Sequence, residues 1–402
     1  IEAVSGVSMA PASPPPPGEA SRGKRSVAVL LFKDLARNPD NAHLGIGLAD
    51  ATITELATVR SLLVRPTAAI LRYRESSVDP QQAGRELGVE AIVDGSFQRA
   101  GSRLRVTVQL VRTSDGRSLW GAKIDTTLDD IFEMQDQVSR KIAEALEVEL
   151  TPSEERRLAR ATRPAGRAYE LYLKGRTHMF RETLHDTNEA IDAFEQARDA
   201  DPGFALAWAG LSAAYVRLAV AFEPEGDWLE RAEQMCEKAL SIDPRLPEGR
   251  YLRGEILWSQ QSGFDHAGAI RELLAAIAGR PSLAEAHDRL SVVLDHVAMP
   301  EEGIRHSEQA VALDPEDAVA ETHLGLAHYL AGHYEKALSI SDSASRRSPS
   351  AWGFHQLADC MIRLGDLRKN GKPTRFALTA AAWGEPVPRT AGPGASRPSR
   401  IR

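Results

Sequence analysis

The sequence predicts two fold classes in series: an α/β amino-terminal unit with a mixed sheet of about five strands, then an all-α solenoid. Three observations predict it. A continuous apolar run, VAVLLF at 27–32, opens a stretch whose apolar spacing alternates between helical and two-residue periods. Beyond it, proline returns at Pro202, Pro244, Pro281, Pro315 and Pro349, spaced 42, 37, 34 and 34 residues apart. A fixed period in this range marks stacked supersecondary units. Finally, 402 residues with 43% hydrophobic content are enough for more than one core.

The first 25 residues include APASPPPPG at 10–18, a stiff extended spacer without packing surface. With Ile rather than Met at position 1, this reads as the downstream part of a longer protein, tethered by the proline stretch. The run at 27–32 is a strand buried on both faces, and Asn38-Pro39-Asp40-Asn41 breaks it. An amphipathic helix follows at 46–56, a short strand at 62–64 ended by Pro66, and a helix opened by Asp79-Pro80 and running to Leu87. The period then becomes two. Leu104, Val106, Val108 and Leu110 alternate with Arg105, Thr107 and Gln109, as in a half-buried antiparallel strand. Ala100-Gly101 and Asp115-Gly116 supply its turns, and Trp120, Ala122 and Ile124 alternate in the next strand. A closing helix at 128–150 turns Ile131, Met134, Val138, Ile142, Ala145 and Val148 inward, with Thr127 as N-cap and Asp130 completing a near capping box.

Two stretches here invite chemistry. GIGLAD at 45–50 begins like a dinucleotide loop but lacks the third glycine and does not follow a strand directly, so its glycines serve close approach at a helix start. Asp129, Asp130 and Glu133 complement the macrodipole of the helix they open. No nucleophile elbow, phosphate loop, zinc-protease or kinase motif is present, so the chain is not expected to be an enzyme, and no catalytic or cofactor-binding residue is assigned. The eight histidines from His266 to His355 do not converge either: His323, His328 and His333 lie five apart, off the i, i+4 spacing of helical ligands, and no metal site is assigned.

The blocks SVAVLLFKDLARNPDNAHLGIGLADATITELA, AGRELGVEAIVDGSFQRAGSRLRVTVQLVRTSDGRSLW and DDIFEMQDQVSRKIAEAL, in that order over residues 26–150, resemble the TolB amino-terminal-like (FlgO-like) domain. The resemblance implies a place in a bacterial signalling protein. Such domains are typically followed by helical repeats and preceded by a serine/threonine kinase, a nucleotide cyclase or a winged-helix DNA-binding domain, often with one membrane span between.

After a linker at 151–165, the repeats run over 166–367 as five helix pairs and a partial sixth near 352–364. Second helices carry Ala190, Phe194, Ala197; Ala232, Cys236, Ala239; and Ala269, Leu273, Ala276, each set ended by its proline. First helices carry a large residue, a Leu, a small residue and an aromatic, best in Trp208, Leu211, Ser212 and Tyr215. This resembles the tetratricopeptide repeat. Small residues let crossing helices approach, and since one pair cannot bury its apolar face, pairs must stack. Extra length falls in loops at 222–227 and 262–264, while Gly303, Ser307 and Ser341 depart from the pattern and predict weaker contacts late in the array. The last 35 residues, 368–402, carry a net +7 with little helical period. They read as a disordered basic tail or an unrelated reading frame.

The net charge of −7 is otherwise spread along the chain, so nucleic-acid binding is not expected, and a solvated tail accounts for the basic end. Cys236 and Cys360 lie in different repeats on apolar faces and read as buried thiols. No run is long enough to span a membrane, so a membrane would be reached only through a preceding span; the module would then lie outside the cytoplasm, and otherwise inside it. The expected function is non-catalytic sensing and docking of a protein or peptide. Matching the family's inner face to this sequence assigns the groove to Arg217, Tyr251, Glu255, Trp258, Asp288, Asp295, His296, Thr322 and Tyr329. Its acids favour a basic guest; the alternative output is regulation of a kinase, cyclase or winged-helix domain.

Overall fold

The computed structural model describes residues 25–38, 41–74, 78–152, 154–155 and 164–348. Its first part is a mixed sheet. Strands β1 (Arg25–Val29), β3 (Leu62–Val64) and β4 (Ala91–Ala100) run parallel, joined by α1 (Ala42–Leu56), α2 (Thr67–Ile70) and α3 (Pro80–Glu86). β5 (Arg103–Arg112) and β6 (Ser118–Thr127) continue it as antiparallel hairpins, in the order β3-β1-β4-β5-β6. A two-residue strand, β2 (Lys33–Asp34), also pairs with β4. The sheet therefore has six strands. The apolar run breaks at Val29 instead of continuing to Phe32, because the chain leaves β1 and rejoins β4 further along.

The two-residue alternation of β5 is reproduced: Leu104, Val106, Val108 and Leu110 are at most 1% exposed, while Arg103, Arg105, Thr107 and Gln109 face solvent. The closing helix, α4 (Ile131–Ala145), is shorter than expected at both ends. The expected Thr127 cap does not form: the N-cap is Asp130, without a side-chain cap bond, and Thr127 and Asp130 bond within the preceding turn, the Asp130 N–H donating to Thr127 Oγ1 at 3.3 Å and the Thr127 hydroxyl to the Asp130 carboxylate at 2.8 Å. The chain simply makes a turn before the helix begins.

The second part is an array of helix pairs: α5 (Gly166–Met179) with α6 (Leu184–Ala200), α7 (Ala205–Arg217) with α8 (Trp228–Ile242), α9 (Pro247–Leu257) with α10 (His266–Gly279), α11 (Ala284–His296) with α12 (Pro300–Leu313), and α13 (Ala318–Leu330) with α14 (Tyr334–Arg347). Close crossing is visible at Gly175 and Gly210, where a Cβ would come within 2.5 and 2.7 Å of the Phe194 ring. The array thus clamps one buried phenyl between three helices. The turns inside four pairs hold residues at positive φ: Glu182, Gly263 with Phe264, Ala298 and Gly332. The extra length after α7 is partly helical rather than looped, because Leu218–Phe222 winds as a π turn. By composition the segment Ala205–Phe222 is long and apolar enough to cross a membrane, yet half of it is buried inside the fold, where Ala207, Leu211 and Ala214 pack as core. The partial sixth repeat, Cys360 and the basic tail lie outside the described residues.

Sheet unit and array pack against each other along an edge. Gly47 of α1 leaves room for Leu173, since a Cβ there would sit 2.7 Å from its Cδ1. Asp129 accepts the Gly166 N–H at 3.0 Å and so caps α5. Further along, Ser282 donates its N–H to Ala57 O and its hydroxyl to Leu62 O, and the Arg65 guanidinium donates to the carbonyls of Ala312 and Leu313. The proline-bearing turns between pairs therefore face the sheet unit.

Candidate functional site

First helices of successive pairs lie side by side, and charges cross from each to the next. Glu255 on α9 is ion-paired with Arg289 on α11, and Asp288 on α11 meets His323 Nδ1 on α13 at 2.8 Å. Each pair joins equivalent positions about one repeat apart. The Arg289 guanidinium also lies 5.3 Å from the centre of the Trp258 ring. The ring of His296 sits edge-on to that indole at 5.1 Å, and its Nδ1 donates to Val292 O at 2.8 Å. Tyr251, partly buried between the core clusters, completes a patch with Glu255, Trp258, Asp288 and His296. Its phenol is held well above the usual range, by burial first and by Glu255 second.

The remaining assigned residues sit differently. Arg217 ends α7 with its guanidinium donating to Met179 O, and burial lowers its pKa. Tyr329 stacks edge-on against Tyr334 at 5.6 Å. Thr322 is buried, its hydroxyl donating to Ala318 O at 2.7 Å within its own helix. Asp295 is only 8% exposed, and among the described residues neither carboxylate oxygen has a hydrogen-bond partner. Burial pushes its carboxyl up to about 7, opposed by His323. Gly303 leaves it room: a Cβ there would lie 2.4 Å from Asp295 Oδ1. Thr322 and Asp295 are thus inside the wall of the face rather than on its surface.

Two partners of these acids, Arg289 and His323, were not assigned to the face from sequence. The signal that finds them is a basic side chain about one repeat beyond each acid. Among the described residues no group of three or more His, Cys, Asp and Glu is placed to hold a metal. The histidines instead pair: His287 with His306 at 3.0 Å and His328 with His333 at 3.3 Å. GIGLAD serves packing. A Cβ at Gly45 would lie 2.4 Å from Phe32 O, and Asp50 is locked by Arg176 at 2.9 and 3.0 Å and by the Thr67 hydroxyl.

A second concavity, of about 200 Å³, lies where the sheet unit meets the array, lined by Thr54, Glu55, Gln135, Tyr169, Phe204 and Leu246 among others. The Glu55 carboxyl is pushed up to about 8, by burial first and then by Asp136 and Glu248.

No family model matches the chain. It is 31% identical over 244 residues, 60% of its length, to a putative adenylate cyclase 3 of Rhizobium meliloti (strain 1021), and it spans 41% of that relative's length. Among solved structures it is similar to PilW, a type IV pilus biogenesis factor (19% identity, 52% of this chain and 98% of that one, TM-score 0.41). It is also similar to PilF of Pseudomonas aeruginosa (18%, 54% and 97%, 0.39) and to YrrB, a TPR protein with an unusual peptide-binding site (21%, 46% and 89%, 0.33).

Proposed function

We propose that this chain is a non-catalytic docking module of a signalling protein, with a TolB amino-terminal-like unit over residues 26–150 bracing a repeat array that captures a protein or peptide segment. The observation that carries it is the patch on the first helices, where Tyr251 and Trp258 stand beside the Glu255–Arg289 pair. Tyrosine and tryptophan offer apolar area with a polar handle. Because Glu255 and Asp288 are already shared with Arg289 and His323, the face is amphipathic rather than simply acidic. An extended guest with one apolar anchor suits it better than a run of lysines.

The test is selection of binders from a displayed library of random peptides. Peptides selected on the full chain are expected to lose at least about tenfold in affinity on Trp258→Ala, a hot-spot truncation of more than 1 kcal/mol. The melting temperature should change little. Selected peptides that bind this variant and Arg289→Glu as tightly as the parent would place the site elsewhere.

A second reading is favoured by the cyclase-named relative: the module regulates a cyclase-type output carried by another part of a longer protein. On this reading the present chain incubated with ATP gives no cyclic nucleotide; turnover by the chain alone would overturn the non-catalytic assignment.

A further inference from the structure

The described sheet ends at β6, ten residues long, whose outer edge pairs with no other described strand. An unpaired edge of this length offers a row of backbone donors and acceptors to another strand. Which residues offer them follows from the ladder. The Leu128 N–H donates to Ser102 O at 3.1 Å, one step beyond the Arg103–Thr127 pair. Facing residues of an antiparallel ladder alternate between exchanging hydrogen bonds and not. Thr126, Ile124 and Ala122 therefore bond to β5, while Gly121, Lys123, Asp125 and Thr127 turn their N–H and C=O groups outward. The side chains of these four also share one face of the sheet, with Lys123 and Asp125 exposed.

We propose that β6 pairs with β6 of a second copy of this chain, antiparallel, about a two-fold axis at Ile124. The register follows from charge. With the axis at Ile124, Lys123 faces Asp125 of the other copy twice, and Gly121 faces Thr127 twice. All four positions are outward-bonding, so every exposed backbone group over 121–127 finds a partner. Sliding the axis to Lys123 or to Asp125 sets like charges face to face, which is unfavourable for directly opposed residues. A slip of half a step pairs outward with inward groups and turns the side chains to the wrong face. Asp125 already accepts two bonds from Arg105, at 2.6 and 3.0 Å, and a carboxylate has capacity for a third donor. Lys123 has no ion pair among the described residues, so its charge is available. On the other face Ile124 meets Ile124, and Ala122 meets Thr126, extending the apolar layer under the sheet. A foreign strand would need to supply this charge pattern; the chain carries its own complement.

The experiment is sedimentation velocity of the full 402-residue chain over a range of loading concentrations. The parent is expected to show a concentration-dependent dimer. Lys123→Asp alone and Asp125→Lys alone each set two like-charged pairs across the axis and should sediment as monomers. An equimolar mixture of the two variants restores opposite charges at both pairs and should sediment as a dimer. Hydrogen exchange gives an independent reading: on dilution the amides of 121, 123, 125 and 127 should lose protection while those of 122, 124 and 126 keep it. A parent that stays monomeric at every concentration would overturn the proposal and make Lys123 a guard against edge pairing. A dimer indifferent to both variants would overturn it too, placing the interface elsewhere.

Discussion

Glu55 is a carboxylate placed where a carboxylate is costly. Its neighbours from the packed elements are Asp136 and Arg140 of α4 and Glu248 of α9, two anions against one cation. The fold therefore favours the neutral acid, moving it from the usual 4.5 to about 8. A group whose pKa is raised on folding contributes its stability below the unfolded value and loses it as pH rises through the folded value. Stability should accordingly fall between pH 4.5 and about 8, and Glu55→Gln should flatten that fall. Melting temperatures across this range check it; parallel curves for parent and variant would show that Glu55 ionises without cost. The same junction holds the Asp50–Arg176 pair, whose carboxylate also accepts from Thr67, so the buried charge there is partnered on both oxygens.

At the scale of elements, α1 is the hinge pin between the two parts. It presents Gly45 to Phe32 on one side and Gly47 to Leu173 on the other, so it reaches both β1's continuation and α5 at backbone distance. Gly47→Val would drive a side chain into Leu173, an overpacking of about 2 kcal/mol measurable by urea unfolding. The same change should leave peptide capture intact, because the patch is built from side chains of α9, α11 and α13 that bond to one another. Equal loss of peptide binding would show that the face depends on the junction. The later second helices are weaker elements for a different reason: Ser307 and Ser341 stand fully buried where earlier pairs carry Phe194, Cys236 and Leu273, and among the described residues their hydroxyls have no partner.

Over the whole molecule, apolar packing is graded. One core cluster runs from the sheet through α5 to α9, a second covers α10 and α11, and a third is reduced to Ile304, Leu324 and Ala327. Arrays of this kind lose structure repeat by repeat, so the end with the poorest interfaces opens first. Amides of α13 and α14 should exchange well before those of α5 to α8, by hydrogen exchange followed with mass spectrometry. Uniform protection from α5 to α14 would mean that contacts with the sheet unit, such as Arg65 to Leu313 O, hold the array as one cooperative body.

Local regularities in the sequence were sufficient for the elements. Alternation at 104–110, the proline period and the Ala-rich crossings are each short-range patterns set by backbone geometry, and they determined β5 and the helix pairs. β4 was not singled out, because a strand buried over most of its length, AIVDGSF, has no clean alternation, and the helix ends depended on turns such as 128–130. The partners of the assigned acids were not legible: Glu255 and Asp288 appeared as free acids, while Arg289 and His323 meet them only once neighbouring pairs stack. Likewise, Asp295 and Thr322 looked like surface groups until Gly303 and the next helix closed around them. The docking of the sheet unit on the proline turns has no sequence period at all. Contacts between residues some 250 positions apart, as from Arg65 to Leu313, are decided by shape and burial once both parts exist, and only the tertiary structure fixes them.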